Sequence, residues 1–286
     1  MKKCHRALSS LLLAGASLTP MAGLPAQVCA AEEEASGPKI TGVAGLDLNT
    51  HFISYGYDVW QAGDDFGNRA TVNPYAELKL DFDLLYVKVG TWWDVNSNAT
   101  SGLGGQLQEV DVYYGVFVPV DKFTFGVTYQ DWLYGGSVEK ILDFSVSFDD
   151  SEYLGAYALR PSFTAHKLLG GGDVFNAAGT QVKDSGWAYV FGLAPGLTVL
   201  ESEAWDLNLS FPVTVAFGDG SFYAESGFAY FSGGVSASVP LKFIPGKYGA
   251  WSVGASLIYF VTNDDAIPTN KDDSFLTGKI GFSVGF

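Results

Sequence analysis

Beyond residue 43, apolar and polar positions alternate with a period of two in one segment after another. Val72, Pro74, Ala76, Leu78, Leu80 and Phe82 form one set, with Thr71, Asn73, Tyr75, Glu77, Lys79 and Asp81 between them. Leu85, Val87, Val89, Trp93 and Val95 oppose Tyr86, Lys88, Gly90 and Asp94, and Val110, Val112, Tyr114, Val116 and Val118 oppose Glu109, Asp111, Tyr113 and Gly115. Phe123, Phe125, Val127, Tyr129 and Leu133 then face Lys122, Thr124, Thr128 and Gln130, and Val138, Leu142, Phe144, Val146 and Phe148 face Glu139, Asp143, Ser145 and Ser147. Side chains of an extended chain point alternately to its two faces, so each segment predicts a strand with one apolar face.

The pattern returns at Tyr157, Leu159 and Phe163 against Arg160, Ser162 and Thr164. It returns again in the segments around Trp187–Leu193, Trp205–Val215, Val235–Leu241 and Trp251–Val261. A less regular first strand through GLDLNTHFISYGYDVW and a last one, GKIGFSVGF, bring the total to about twelve, each near the ten residues that cross a bilayer as a tilted strand. The connections alternate in length. On one side run QAGDDFGNRA, NSNATSGLGGQ, YGGS, HKLLGGGDVFNAAGTQVKDS, GDGS and TNDDAIPTNKDDS; on the other run DFD, PVDK, FDDSE, APGLTVLESE and IPGKYG. That parity predicts an all-β fold, a transmembrane antiparallel up-and-down β-barrel, with long loops outside and tight turns on the periplasmic side. Trp60, Trp92, Trp93, Trp132 and Trp187 fall where an outer aromatic girdle is expected, and Phe82, Phe123, Phe148, Trp205 and Trp251 where an inner one is.

Composition sharpens the picture. Charged residues make up 16% of the chain, against roughly 25% in ordinary soluble domains. The polar faces carry mainly Ser, Thr, Gly and isolated ions, which disfavours a soluble sandwich with charged outer faces. Residues 1–30 read as a secretory signal peptide, with Lys2, Lys3 and Arg6 ahead of an apolar run from Leu11 and small residues closing at Ala30. Residues 31–40 read as an acidic periplasmic tail and 41–286 as the barrel, with no further domain after Phe286. Both cysteines, Cys4 and Cys29, fall in the leader, so no disulfide framework is expected. Loss of the leader's three basic residues takes the net charge from -15 to -18, which excludes nucleic acid as a partner.

Ile280, Phe282, Val284 and the terminal Phe286 resemble the carboxyl-terminal signature by which Gram-negative outer-membrane proteins are recognised for insertion. The resemblance implies an outer-membrane location, handling by the barrel-assembly machinery, and lipid and lipopolysaccharide as surroundings. A second stretch, THFISYGYDVWQAGDDFGNRATVNPYAELKLDFDLLYVKVGTWWDVNSNA, resembles the opening hairpins of the TorF-type porin family. Ser54-Tyr55-Gly56 stands at that family's aromatic-Arg-Gly motif without its Arg, and Asn73-Pro74 and Trp92–Asn96 match the elements that follow. The resemblance implies a porin of undefined substrate.

Candidate chemistry lies on the polar faces. Glu77, Lys79, Lys88, Glu109, Asp111, Glu139, Asp143, Arg160 and Asp206 are expected to line the lumen. Glu109 with Asp111, and Glu139 with Asp143, either border a cation path or pair with Lys79, Lys88, Lys122 and Arg160 to brace a narrow interior; bracing is the expectation for most. His51, early in the first strand, and His166, opening an outer loop, lack a serine two residues on, and polar or structural roles are expected rather than catalysis. GGGDV at 170–174 is no phosphate loop, and Asp264, Asp265, Asp272 and Asp273 match no EF-hand and read as a solvated loop. No cofactor, metal or enzymatic activity is expected. The sequence therefore predicts a porin-like channel for small hydrophilic solutes, cation-preferring if the acidic residues stay unpaired. A non-conducting surface barrel or adhesin is the alternative, and an outer-membrane lipid hydrolase a third.

Overall fold

A computed structural model describes residues 37–170 and 185–286. The expected signal peptide, most of the acidic tail, GGGDV beyond Gly170 and the rest of that loop lie outside the described residues. The strands are β1 (Lys39–Asn49), β2 (Ile53–Ser54), β3 (Tyr57–Asp58), β4 (Thr71–Asp81), β5 (Tyr86–Val95), β6 (Leu107–Val120), β7 (Phe123–Tyr134) and β8 (Ser137–Phe148). After a helical turn, α1 (Ser151–Leu154), come β9 (Ser162–Gly170), β10 (Gly186–Leu193), β11 (Gly196–Glu201), β12 (Asp206–Ser210), β13 (Val213–Gly218), β14 (Gly227–Pro240), β15 (Ala250–Thr262) and β16 (Ser274–Gly285).

Fourteen of these belong to one antiparallel sheet, and β2 and β3 pair only with each other. β12 and β13 lie end to end along β14, interrupted at Pro212, and β10 and β11 run end to end through Pro195. Proline has no amide to give a ladder, so each interruption leaves one long stave in two pieces. The fourteen segments therefore make twelve staves, each paired with its sequence neighbour. The ring closes where β1 meets β16, from Val43 opposite Gly285 to Asn49 opposite Lys279. Gly42 and Phe286 seal the seam with reciprocal backbone bonds of 2.8 and 3.0 Å. Closure leaves the last strand no free edge to template aggregation.

The expected alternation is present in space. Leu78, Val89, Val112, Tyr114, Val116, Phe125, Val127, Phe144, Phe191, Tyr259, Ile280 and Phe282 are all exposed on the outside. Trp93 and the stacked pair Trp187–Tyr189 also lie on this outer surface. Inward tyrosines pack across glycines of the next strand: the Tyr75 ring fills the space above Gly45, and Tyr113 that above Gly90. A side chain at either glycine would collide with the ring, so small and large residues on neighbouring staves set the interior's shape.

Several boundaries differ from those expected. β1 begins at Lys39, inside the supposed tail, and ends at Asn49, after which the chain leaves the wall. Tyr157, Leu159 and Arg160 are not in a strand: α1 and a 3-10 turn (Gly155–Tyr157) occupy that span, and β9 starts at Ser162. APGLTVLESE is no loop, because the stave continues to Glu201 past its proline. GDGS is only the start of a connection that runs to Ser226 and turns inward, burying Tyr223. Trp60, Trp92 and Trp132 are not girdle residues. Trp92 and Trp132 are buried inside the barrel, and Trp60 is bonded to the buried Asp94.

Candidate functional site

The interior divides into two zones. At the end carrying the long loops it is closed by residues 50–70, which fold back into the barrel as a plug. The plug's tip is the β2–β3 hairpin, whose two central residues, Tyr55 and Gly56, have φ of 50° and 88°. Positive φ at both positions is the type I′ turn that matches strand twist, and Gly56 takes it without strain. Gly56 also has no room for a side chain, since a Cβ there would strike Tyr230 and Ile267. The tip thus seats Tyr55, 2% exposed, in an apolar core with Trp132, Ile141, Leu168, Val190, Tyr230 and Phe275.

Hydrogen bonds tie the plug to the wall on several sides. Tyr55 Oη lies 3.1 Å from His166 Nδ1, which lies 2.6 Å from Asp143 Oδ1. Gln130 Nε2 donates to Asp143 Oδ2 at 2.5 Å. On the far side, Trp60 Nε1 donates to Asp94 Oδ2 at 3.0 Å, beside Asn96 Nδ2 at 2.8 Å, while Thr71 Oγ1 and Asn73 Nδ2 donate to Asp94 Oδ1. Four donors on one buried carboxylate make Asp94 an organising centre. His51 Nε2 is 2.8 Å from the Gly63 carbonyl oxygen, and its ring stacks on Phe275 at 5.6 Å. From the loop after β15, Asn270 Nδ2 donates to Gly56 O at 2.9 Å and Asn270 Oδ1 accepts from Asp58 N at 2.7 Å. Asp272 Oδ2 accepts from Asp64 N at 2.9 Å, and Lys271 pairs with Asp65 at 2.6 Å. The lysine holds Asp65 below, and Asp65 holds Lys271 above, their ordinary ranges, whereas burial pushes Asp58 in the plug upward.

Beneath the plug the inner surface changes to Ser, Thr, Gly and ions. Ser145, Ser147, Ser162, Thr164, Ser236 and Ser283 face in, and a recess with room for about one water molecule is bordered by Asp47, Tyr75, Ser238, Ser252 and Ser283. Lys88 pairs with Glu77 at 2.9 Å and Lys279 with Asp47 at 3.0 Å. Lys79 pairs with Asp81 at 2.9 Å, Lys242 with Asp206 at 2.6 Å, and Lys122 with Glu152.

Bracing therefore occurs, but mostly not between the expected partners. No lysine or arginine pairs with Glu109, Asp111, Glu139 or Asp143 among the described residues. Lys88 lies four residues along β5 from Trp92, the residue opposite Asp111, which is roughly 13 Å of strand. Arg160 is at the turn end, where its Nη1 donates to the Ala194 carbonyl at 3.3 Å rather than to an acid of the lumen. His166 sits in β9, not in a loop, and His51 is in the plug, not in a wall strand. The hydroxyls bonded to them belong to Tyr55 and Thr50. Thr71, Asn73 and Asp94 stand on the polar faces expected from the sequence, but neither they nor Asn96 were singled out as site residues. Their signal was present: polar side chains at inward positions of two neighbouring strands, at the same end of both.

No family model matches this sequence, so the TorF-type resemblance finds no counterpart there, and no curated protein matches it. Among solved structures, an outer-membrane channel from Pseudomonas putida F1 is similar over 91% of this chain and 100% of its own, at 10% identity and a TM-score of 0.46. LpxR from Salmonella typhimurium is similar over 85% of this chain and 99% of its own, at 8% identity and a TM-score of 0.45. The NanC porin is similar over 86% and 99%, at 9% identity and a TM-score of 0.43. These values carry no residue correspondence, and what the site does is read from its own geometry.

Proposed function

We propose that this chain is a porin-like outer-membrane barrel for small hydrophilic solutes, shut at its outer mouth by the plug of residues 50–70. The exposed apolar belt supports the membrane setting: in hydrocarbon every backbone group must be paired within the protein, and a closed barrel does this. Both described chain ends lie with the tight turns, which supports a periplasmic setting for that side and an outer one for the long loops. One observation carries the channel reading, namely the change of lining from a dry aromatic core at the loop end to Ser, Gly and ion pairs at the turn end. A solute path needs such a polar lining. Passage then requires the plug to shift.

Planar-bilayer recording tests this. The wild-type protein should rest closed with rare openings, and a plug loosened at Tyr55 should open often. If loosened barrels that remain folded pass no current at any voltage, the channel reading fails. The second reading would then hold, a non-conducting surface barrel, which the many ties between plug and wall favour.

A further inference from the structure

Asp111 presents an unsolved electrostatic problem. It is 1% exposed, and apart from the neighbouring carboxyl of Glu109 nothing among the described residues hydrogen-bonds to it. Strand register explains its surroundings: Asp111 lies directly opposite Trp92 on β5 and Trp132 on β7. Glu109, two residues earlier on the same face, lies opposite Asp94, and Glu139 on β8 lies opposite Trp132. The charged groups that act on Glu109 and Asp111 are each other, Asp94 and Glu139, all carboxyls. The lumen's lysines are engaged elsewhere, with Asp81, Glu77 and Asp47. Asp94 has its four donors and Glu139 has Tyr134, but Glu109 and Asp111 have no counter-charge from the protein. A buried carboxyl is accommodated either by taking up a proton or by meeting a positive charge.

The kind of cation follows from the donors. No three acids converge on a point where they could hold a metal ion among the described residues, and hard metals want six or more oxygens. A primary ammonium asks for less: it has three donors, which two carboxylates satisfy, and an indole face attracts it. We infer that Glu109 and Asp111, between Trp92 and Trp132, form a binding site for the ammonium group of an amine solute. In one respect this rests on the channel reading, because the solute has to reach the underside of the plug. The plug also competes for the same surface. Phe52 packs on Trp92 at 5.0 Å between ring centres, and Tyr55 on Trp132 at 5.4 Å. An amine that takes those faces displaces both rings, so binding and plug opening are coupled.

The test is tryptophan fluorescence of the purified full barrel in detergent, titrated with putrescine, with 1,4-butanediol as the uncharged analogue and calcium chloride as the metal control. Saturable quenching by putrescine alone is expected. Asp111→Asn and Glu109→Gln should each weaken it by about ten-fold or more, as loss of a buried charged partner does, while Asp206→Asn, at the turn end, leaves it unchanged. Two carboxyl variants guard against one failing to fold. Equal quenching by butanediol, quenching by calcium, or wild-type titration of both carboxyl variants would overturn the site. Putrescine binding in a barrel that never conducts would refute the channel and leave the site standing. Conductance without putrescine binding would do the reverse.

Discussion

Tyr55 Oη rests 3.1 Å from His166 Nδ1, joining the tip of the plug to the middle of β9 across 111 residues of sequence. With Asp143 behind the imidazole and Gln130 behind Asp143, the contact reaches the third strand of the wall. This row of groups is the plug's latch. Tyr55→Phe removes only the hydroxyl and should cost about 1 kcal/mol of plug docking, the usual net worth of a buried hydrogen bond. Tyr55→Ala also empties a buried aromatic site and should cost about 3–5 kcal/mol. Protease sensitivity of residues 50–70 should rise slightly in the first and strongly in the second, with the barrel's heat-modifiable gel shift intact in both.

Acidity should tighten the plug. Burial raises Asp58, so the folded state prefers the neutral carboxyl; its contribution is complete below the ordinary carboxylate range and is lost as pH rises through the raised value. His51, Asp272 and the Gly63 amide act on the same carboxyl, the amide at 2.8 Å. The Asp65–Lys271 tether has the opposite sign, because Asp65 is lowered and its contribution disappears as pH falls. The tether is exposed, and exposed pairs contribute little against a buried group. Openings in a bilayer should therefore be rarer at pH 5 than at pH 8, and Asp58→Asn should flatten the difference. More openings at pH 5 would mean that the tether governs.

Glycine spacing in the wall should be as demanding as any core residue. At Gly90 a methyl group would overlap the Tyr113 ring, whose hydroxyl donates to Glu77 at 3.2 Å beside Lys88. Gly90→Ala should lower barrel stability by about 1–3 kcal/mol through overpacking, read as an earlier midpoint in urea unfolding from lipid vesicles. Tyr113→Ala in the same chain should recover part of that loss, since it removes the clash.

The walls were legible and the plug was not, for one physical reason. Alternation in β4, β6, β7 and β8 has high contrast because Leu78, Val112 or Phe125 faces outward while Glu77, Asp111 or Thr124 faces the lumen. Phe52, Tyr55 and Trp60 are as apolar as any wall residue, yet they are buried in the lumen, so hydropathy alone reads GLDLNTHFISYGYDVW as one more strand. The same ambiguity misplaced Trp92 and Trp132, whose indoles lie at strand ends but inside. Pairing of ions was predictable only where partners share a strand or a close cross-strand position, as in Glu77–Lys88. Glu109 and Asp111 failed that rule because register sets tryptophans, not lysines, beside Asp111.

Lipid contact is the condition on which the outward faces depend, and two neighbouring strands allow it to be measured. Val116, 46% exposed in β6, points outward, and Thr128 on β7, one register step away, points in. A lysine at an outward midplane site has to cross into hydrocarbon, at a cost of about 2–4 kcal/mol, whereas an inward one meets polar surroundings. Thr128 also lies opposite Asp143, which offers the new charge a partner. Thr128→Lys should therefore assemble into phospholipid vesicles nearly as well as the wild type. Val116→Lys should fold poorly there, by yield and by urea midpoint, yet recover in short-chain detergent, where the head group reaches water. Equal folding of both variants in vesicles would mean that the apolar belt does not face lipid.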